Sequence, residues 1–252
     1  MNENILITGA SSGIGEALAL YYATHGAKNL FLCGRNVERL EAVKQKCAES
    51  AQNLVVRTKI LDIKDRQKTA EWINECEKTA PLNIVFANAG VATLQEFPEN
   101  IYNTFETNIF GVLNTVVPAS EIFKQRKDKN KTLVITASIA GYHGLPACPS
   151  YSASKACVKA YGEALRGDLQ KYGINVCVVC PGFVRSRITA KNTCPMPFFL
   201  EADKAAEIIA KRVEKNIGLI AFPWPMRFAV WLLSILPNRL SDFIYFRLPH
   251  KV

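Results

Sequence analysis

Apolar and polar positions along the chain fall into two alternating patterns. Asn4 to Thr8, Leu30 to Cys33, Leu54 to Leu61, Ile84 to Ala87, Leu133 to Ala137 and Ile174 to Val179 are short runs rich in apolar and β-branched residues, which predict strands. Between them lie stretches of helical period. The first runs from the turn Gly9-Ala10-Ser11-Ser12-Gly13-Ile14-Gly15 to about His25. The others are Val37 to about Glu49, Asp65 to Lys78, Pro98 to about Lys124, and Ser150 to about Tyr172. Gly26 stops the first helix and Gly173 the last. A helix over Asp203–Lys215 then precedes a short apolar strand near Gly218–Phe222. Strands each followed by a helix predict right-handed βαβ units and a parallel sheet. The expected fold is α/β, a doubly wound parallel β-sheet with helices on both faces. No repeat, low-complexity tract or linker interrupts the pattern, so residues 1–252 read as one domain.

Composition agrees: 252 residues, 49% hydrophobic and 21% charged, suffice for one large packed core and exclude a disordered chain. Met1-Asn2-Glu3-Asn4 carries no basic region, and Ile5-Leu6-Ile7 is too short for an apolar signal segment, so a cytoplasmic location is expected. Eight cysteines (33, 47, 76, 148, 157, 177, 180 and 194) then read as reduced thiols. Cys177-Val178-Val179-Cys180 matches C-x-x-C, but in a strand residues three apart face opposite sides. They read as small buried hydrophobes, and no metal is expected.

The formal net charge is +9. Its densest cluster, Lys124-Gln125-Arg126-Lys127-Asp128-Lys129-Asn130-Lys131, reads as a solvated helix end that complements the helix dipole. Nucleic-acid binding would need a recognised motif or stacking aromatics, and neither stands in the chain.

Candidate chemistry gathers around Ser138, Tyr151 and Lys155. Tyr151 and Lys155 sit four apart on one predicted helix and share a face. A fixed ammonium beside a phenol is expected to lower the phenol pKa from about 10 toward neutrality, so that it can exchange a proton with a carbonyl oxygen. Ser138 ends a predicted buried strand, at the edge where open α/β sheets place their chemistry. Alone, Tyr-x-x-x-Lys is a common surface pair. A second motif accompanies it: Thr8-Gly9-x-x-x-Gly13-x-Gly15 follows a strand and opens a helix. Glycines there let the backbone approach a pyrophosphate, whose charge the helix N-terminus accommodates. The second strand ends Cys33-Gly34-Arg35-Asn36, with no acid until Glu38. NAD sites place an acid there for the ribose 2′-OH, whereas the guanidinium of Arg35 suits a 2′-phosphate. The cofactor expected is NADP(H).

Assembled, these residues resemble the short-chain dehydrogenase/reductase family over roughly residues 4–220, in the family's motif order and spacing. The resemblance implies a Rossmann-like fold and an NADP-dependent oxidoreductase. It makes Gly9, Ser11, Ser12, Gly13, Ile14 and Gly15 the cofactor loop and gives Asp62 a contact with the adenine ring. Asn88-Ala89-Gly90 matches the family's turn after the fourth strand. Pro181 and Gly182 would lie under the nicotinamide, with Val184 offering backbone groups to the carboxamide. Ser186 stands where the family usually has Thr. Asn108, in Glu106-Thr107-Asn108-Ile109-Phe110-Gly111, completes a catalytic tetrad with Ser138, Tyr151 and Lys155. The implied reaction is NADPH-dependent reduction of a ketone or aldehyde. Ser138 would hold the carbonyl oxygen, Tyr151 protonate it, Lys155 tune Tyr151 and grip the nicotinamide ribose, and Asn108 keep a water behind Lys155. Two alternatives stay open: the same chemistry run as an alcohol dehydrogenase, and a non-catalytic NADP-binding sensor or scaffold. Relatives pair the long helix and the Tyr151 helix across a two-fold axis, which implies a homodimer or homotetramer.

The substrate must be read from the remaining segments. Arg185-Ser186-Arg187 and the apolar loop Cys194-Pro195-Met196-Pro197-Phe198-Phe199-Leu200 make residues 183–202 a candidate substrate lid. His143, Leu145 and Cys148 are expected in the same pocket. In the tail, 222–252, Met226 to Leu236 forms an apolar run interrupted by Arg227, and Phe243-Ile244-Tyr245-Phe246 follows. That run is far short of the ~20 residues of a membrane span. Arg227, Arg239, Arg247 and Lys251 against Asp242 make residues 225–252 net +3. The tail reads as a subunit contact, a cover over an apolar pocket or a peripheral membrane helix. A hydrophobic carbonyl substrate is the expectation.

Overall fold

The computed structural model describes residues 3–93, 95–191, 195–237, 239, 240 and 243. Cys194, Asp242, Ile244, Tyr245, Phe246, Arg247 and Lys251 lie outside the described residues. Seven strands, β1 (Glu3–Thr8), β2 (Ala27–Gly34), β3 (Val55–Ile60), β4 (Ile84–Ala87), β5 (Thr132–Thr136), β6 (Asn175–Pro181) and β7 (Leu219–Phe222), form one sheet. Its order is β3-β2-β1-β4-β5-β6-β7, and every adjacent pair is parallel. The order reverses between β1 and β4, so a crevice opens at the carboxyl ends of those two strands.

Alternate strand residues feed two cores. Ile5, Ile7, Leu30 and Leu32 face helices α1 (Gly13–Thr24), α2 (Val37–Ser50) and α7 (Ala202–Glu214). Leu6, Phe31, Val85 and Leu133 face the other layer. There lie α3 (Arg66–Thr79), α5 (Gly111–Gln125) and α6 (Pro149–Leu169), with α4 (Pro98–Phe105) packed against α6. A further helix, α8 (Trp224–Ile235), follows β7. Cys177 and Cys180 are both fully buried, one in each core, as their spacing in a strand requires.

The structure departs from the sequence pattern at four places. β2 starts at Ala27 rather than Leu30, because Asn29 is buried in mid-sheet and donates to Asn4 Oδ1 at 2.8 Å. β6 runs on to Pro181, where a missing N–H is tolerated at the strand's end. The long helix contains a π-turn over Glu106–Phe110, closed by the Gly111 N–H donating to Glu106 O five residues back. The basic cluster is not wholly solvated. Lys131 is buried and donates to Phe123 O (3.1 Å), Arg126 O (2.7 Å) and Tyr172 O (3.1 Å). Arg126 pairs with Glu77 and Asp128.

Candidate active site

The carboxyl ends of the strands line one cleft of about 360 Å³. After β1 come Gly9 and Ser11 to Ile14, after β2 Arg35, after β3 Asp62, and after β4 Asn88 to Val91. Ser138 follows β5, α6 contributes Tyr151 and Lys155, and Pro181, Gly182, Val184 and Ser186 come from the end of β6 onward. The cleft thus brings together every predicted cofactor residue except Gly15, and every predicted catalytic residue except Asn108.

Those two residues act from behind the wall. Gly15 is buried against the Gly9 carbonyl, which a Cβ would overlap, so it sets the close approach of α1 to β1. Asn108 is fully buried on the π-turn. Its Oδ1 accepts from Val91 N (2.8 Å), and its Nδ2 donates to Val91 O (2.9 Å) and Ser154 Oγ (3.0 Å). Both amide hydrogens are therefore committed, and the expected water would have to be held by other groups of this segment.

The glycine loop forms a cradle that larger residues would fill. Gly9 has φ +67°, and a Cβ there would stand 2.7 Å from Ala89 Cα. Gly13 has φ +59°, with Ser186 Cβ at 2.9 Å from a Cβ built on it. Ser12 precedes α1 without a side-chain cap, so the helix N-terminus stays available to an anion. Thr8 Oγ1 donates to Phe86 O (3.1 Å) and accepts from Asn88 N (3.0 Å), which ties the β1 and β4 ends together. Asn88 Oδ1 extends the tie to Thr136 Oγ1 on β5 (3.3 Å).

At the chemical end, Lys155 is buried and donates to Thr136 O at 2.8 Å. Its Nζ lies 5.8 Å from the Tyr151 ring centroid. Burial pushes the ammonium down to about 8. Burial likewise pushes the Tyr151 phenol up to about 12, against the opposing pull of the Ser138 hydroxyl. This corrects the expectation of a phenol tuned toward neutrality: burial dominates the Tyr151 environment, and the phenol is protonated at neutral pH. Ser138 Oγ accepts from Ala140 N (3.1 Å) and faces Pro181 O at 3.4 Å, which fixes the hydroxyl at the mouth of β5 and β6.

Several cleft residues escaped the sequence reading. Arg39, one turn beyond Arg35, lines the same end of the cleft, and its buried Nε has no hydrogen-bond partner among the described residues. Thr189 lines the cleft and donates to Val184 O at 2.8 Å, so the Val184 carbonyl is already engaged. Thr136 and Ser154 support Lys155 and Asn108 and carry no motif.

The expected substrate residues do not gather here. His143 and Leu145 line a separate shallow depression with Tyr142 and Pro146. Cys148, Phe198, Phe199, Leu200, Phe228 and Trp231 line neither hollow. Leu200 instead bridges to Val184, and Arg185 pairs with Glu201 through two contacts (2.5 and 2.9 Å) over the Phe199 ring. Of the two arginines, Arg187 alone reaches the cleft.

The family model described as short chain dehydrogenase matches residues 3–195. This chain belongs to the short-chain dehydrogenases. An uncharacterized oxidoreductase of Myxococcus xanthus is 35% identical over 242 residues, covering 94% of each chain. Among solved structures, a Burkholderia cenocepacia short chain dehydrogenase in complex with NADP superposes with a TM-score of 0.80 at 22% identity, covering 99% of this chain and 100% of that one. A Mycobacterium paratuberculosis short chain dehydrogenase bound to NAD gives a TM-score of 0.75 at 22% identity, over 87% and 95%. The chain is thus an oxidoreductase of the NAD(P)-dependent short-chain type with a Rossmann-like fold.

Proposed function

We propose that this short-chain dehydrogenase is an NADPH-dependent carbonyl reductase acting on apolar ketones or aldehydes. One observation carries the reading: a buried lysine, a protonated phenol and a fixed serine hydroxyl share a cleft with a glycine cradle and an uncapped helix N-terminus. The cradle and the arginine end fit a dinucleotide phosphate. Gly9 and Gly13 would admit the pyrophosphate, and Arg35 and Arg39 would bind a 2′-phosphate. Arg35 stands 3.7 Å from Asp62, which orients the guanidinium at the cleft's edge. When bound, the cofactor supplies the hydride.

The chain's own groups do the rest. Ser138 donates to the substrate oxygen and gains strength as charge develops there. Tyr151 delivers its phenolic proton to that oxygen, a task suited to a phenol protonated at neutral pH. Lys155 faces the phenolate that remains and stabilises it electrostatically. Val91, Ala92 and Ile188 add apolar wall to the cleft, which suits an uncharged substrate. A homodimer fits the exposed residues Tyr102 on α4, Phe110 on the π-turn and Val117 on α5, and light scattering on the wild type tests it.

The decisive experiment follows NADPH and NADH oxidation against ketones and aldehydes of graded chain length, for wild type and Tyr151→Phe. NADPH-selective turnover that rises with chain length and is lost in Tyr151→Phe is expected, with NADPH affinity kept. NADPH binding without turnover on any carbonyl would sink the reading and favour a non-catalytic NADP binder.

A further inference from the structure

The α8 helix presents an apolar stripe to solvent. Trp224, Phe228, Trp231 and Ile235 recur at helical spacing, and they are 76%, 55%, 47% and 57% exposed. The Phe228 and Trp231 rings lie 5.8 Å apart, so they form one surface rather than scattered side chains. The opposite face is spent: Met226 and Val230 pack on the core beneath the sheet. A Cβ on Gly182 would meet Met226 Sδ and Pro223 Cδ, each at 3.0 Å, so α8 rests on the turn after β6. No α8 residue lines the cleft.

Charge selects among occupants. From Pro223 to Leu240 the chain has no Asp or Glu, while Arg227 on α8 and Arg239 beyond its end are exposed. A second copy docked stripe to stripe would set these guanidinium groups together without a carboxylate to pair them. An anionic lipid surface complements them, and Trp and Phe are the side chains that seat at the headgroup boundary. At 12 residues, α8 spans roughly 18 Å, too short to cross a bilayer core of about 30 Å. No helix of the described residues is long and apolar enough to span.

We infer that α8 is an interfacial helix that docks the protein on anionic membranes, lying flat with Trp224, Phe228, Trp231 and Ile235 in the headgroup layer. Because α8 rests on the turn after β6, docking holds the chemical end of the cleft close to the lipid.

Flotation of the full-length protein tests this, with vesicles of phosphatidylcholine alone or mixed with phosphatidylglycerol. Binding to the anionic vesicles should be stronger by on the order of tenfold or more, and should weaken in high salt. The triple variant Trp224→Ser, Phe228→Ser, Trp231→Ser should lose binding while its melting temperature and circular dichroism stay near wild type. Arg239→Gln should weaken binding to anionic vesicles alone. Absence of the wild type from both floated fractions would overturn the inference. So would undiminished binding by the triple variant, or a triple variant that changes only from dimer to monomer in light scattering.

Discussion

Two lysines among the described residues are almost wholly buried, and they stand in opposite circumstances. Lys131 has three N–H donors and spends all of them on carbonyls where α5 and the turn beyond α6 end. Those carbonyls carry the negative ends of two helix dipoles. Lys155 is as deeply buried, yet among the described residues it makes one hydrogen bond, to Thr136 O. Its remaining donors look toward Gly90, where even a Cβ would stand 3.3 Å from Nζ. Burial is the same in both places and satisfaction is not. A saturated buried cation fastens the fold, whereas an unsaturated one is held ready for a partner.

The largest expected effect separates the two by activity. Lys155→Met should lower kcat/KM for NADPH-dependent reduction by roughly 10²–10⁴-fold. Lys131→Met should leave it within a few-fold. Steady-state rates on both variants check this, and an equal loss in both would break the comparison.

Stability should then reverse the order. Lys131→Met strands the buried Phe123 carbonyl, which costs about 1–3 kcal/mol, and loosens the part-buried Arg126 and Tyr172 carbonyls, which water can partly satisfy. Urea unfolding should therefore show a loss of about 2–5 kcal/mol. Lys155→Met replaces a desolvated ammonium by an apolar chain of similar length and should leave stability at or above wild type near pH 7.

A pH series sharpens the second point. Burial holds the Lys155 ammonium down to about 8 in the folded protein, against about 10.5 in the unfolded chain. Between those values the unfolded chain binds more protons than the folded one, so this residue's contribution to stability improves as pH rises. The advantage of Lys155→Met over wild type should be complete below pH 8 and fade toward pH 10.5. A pH-independent difference would remove burial as its cause.

The smallest effect concerns the support. Ser154→Ala releases one Asn108 Nδ2 hydrogen and should destabilise the fold by about 1 kcal/mol, with a severalfold drop in kcat. Unchanged kcat would show that the Asn108 contacts do not reach Lys155.

Much of this was legible in the sequence, for a physical reason. A parallel strand covered on both faces must be apolar throughout, so β1, β4 and β5 announce themselves as runs. The glycine cradle and the Tyr151–Lys155 spacing are equally local. Lys131 was not legible: it ends a run of basic residues, and nothing in that run marks the one side chain that folds inward. Arg39, Thr136 and Thr189 were missed because their places come from the tertiary arrangement rather than from a spacing. The role of the apolar loop was not legible for a related reason. Apolar residues such as Phe199 can cover a pocket or pack beside an arginine, and composition does not distinguish the two.

The π-turn in the long helix works as a phase shifter. Each residue of an α-helix turns the next by about 100°. The extra residue accommodated over Glu106–Phe110 therefore sets the rotation of everything beyond Gly111 relative to α4. Upstream, α4 packs against α6; downstream, α5 presents Val117 outward and Val116 to the core. A single deletion within 106–110 would restore a regular helix and rotate one of those two faces out of place. The segment bearing Asn108 is thus constrained in its length as well as in its buried side chains.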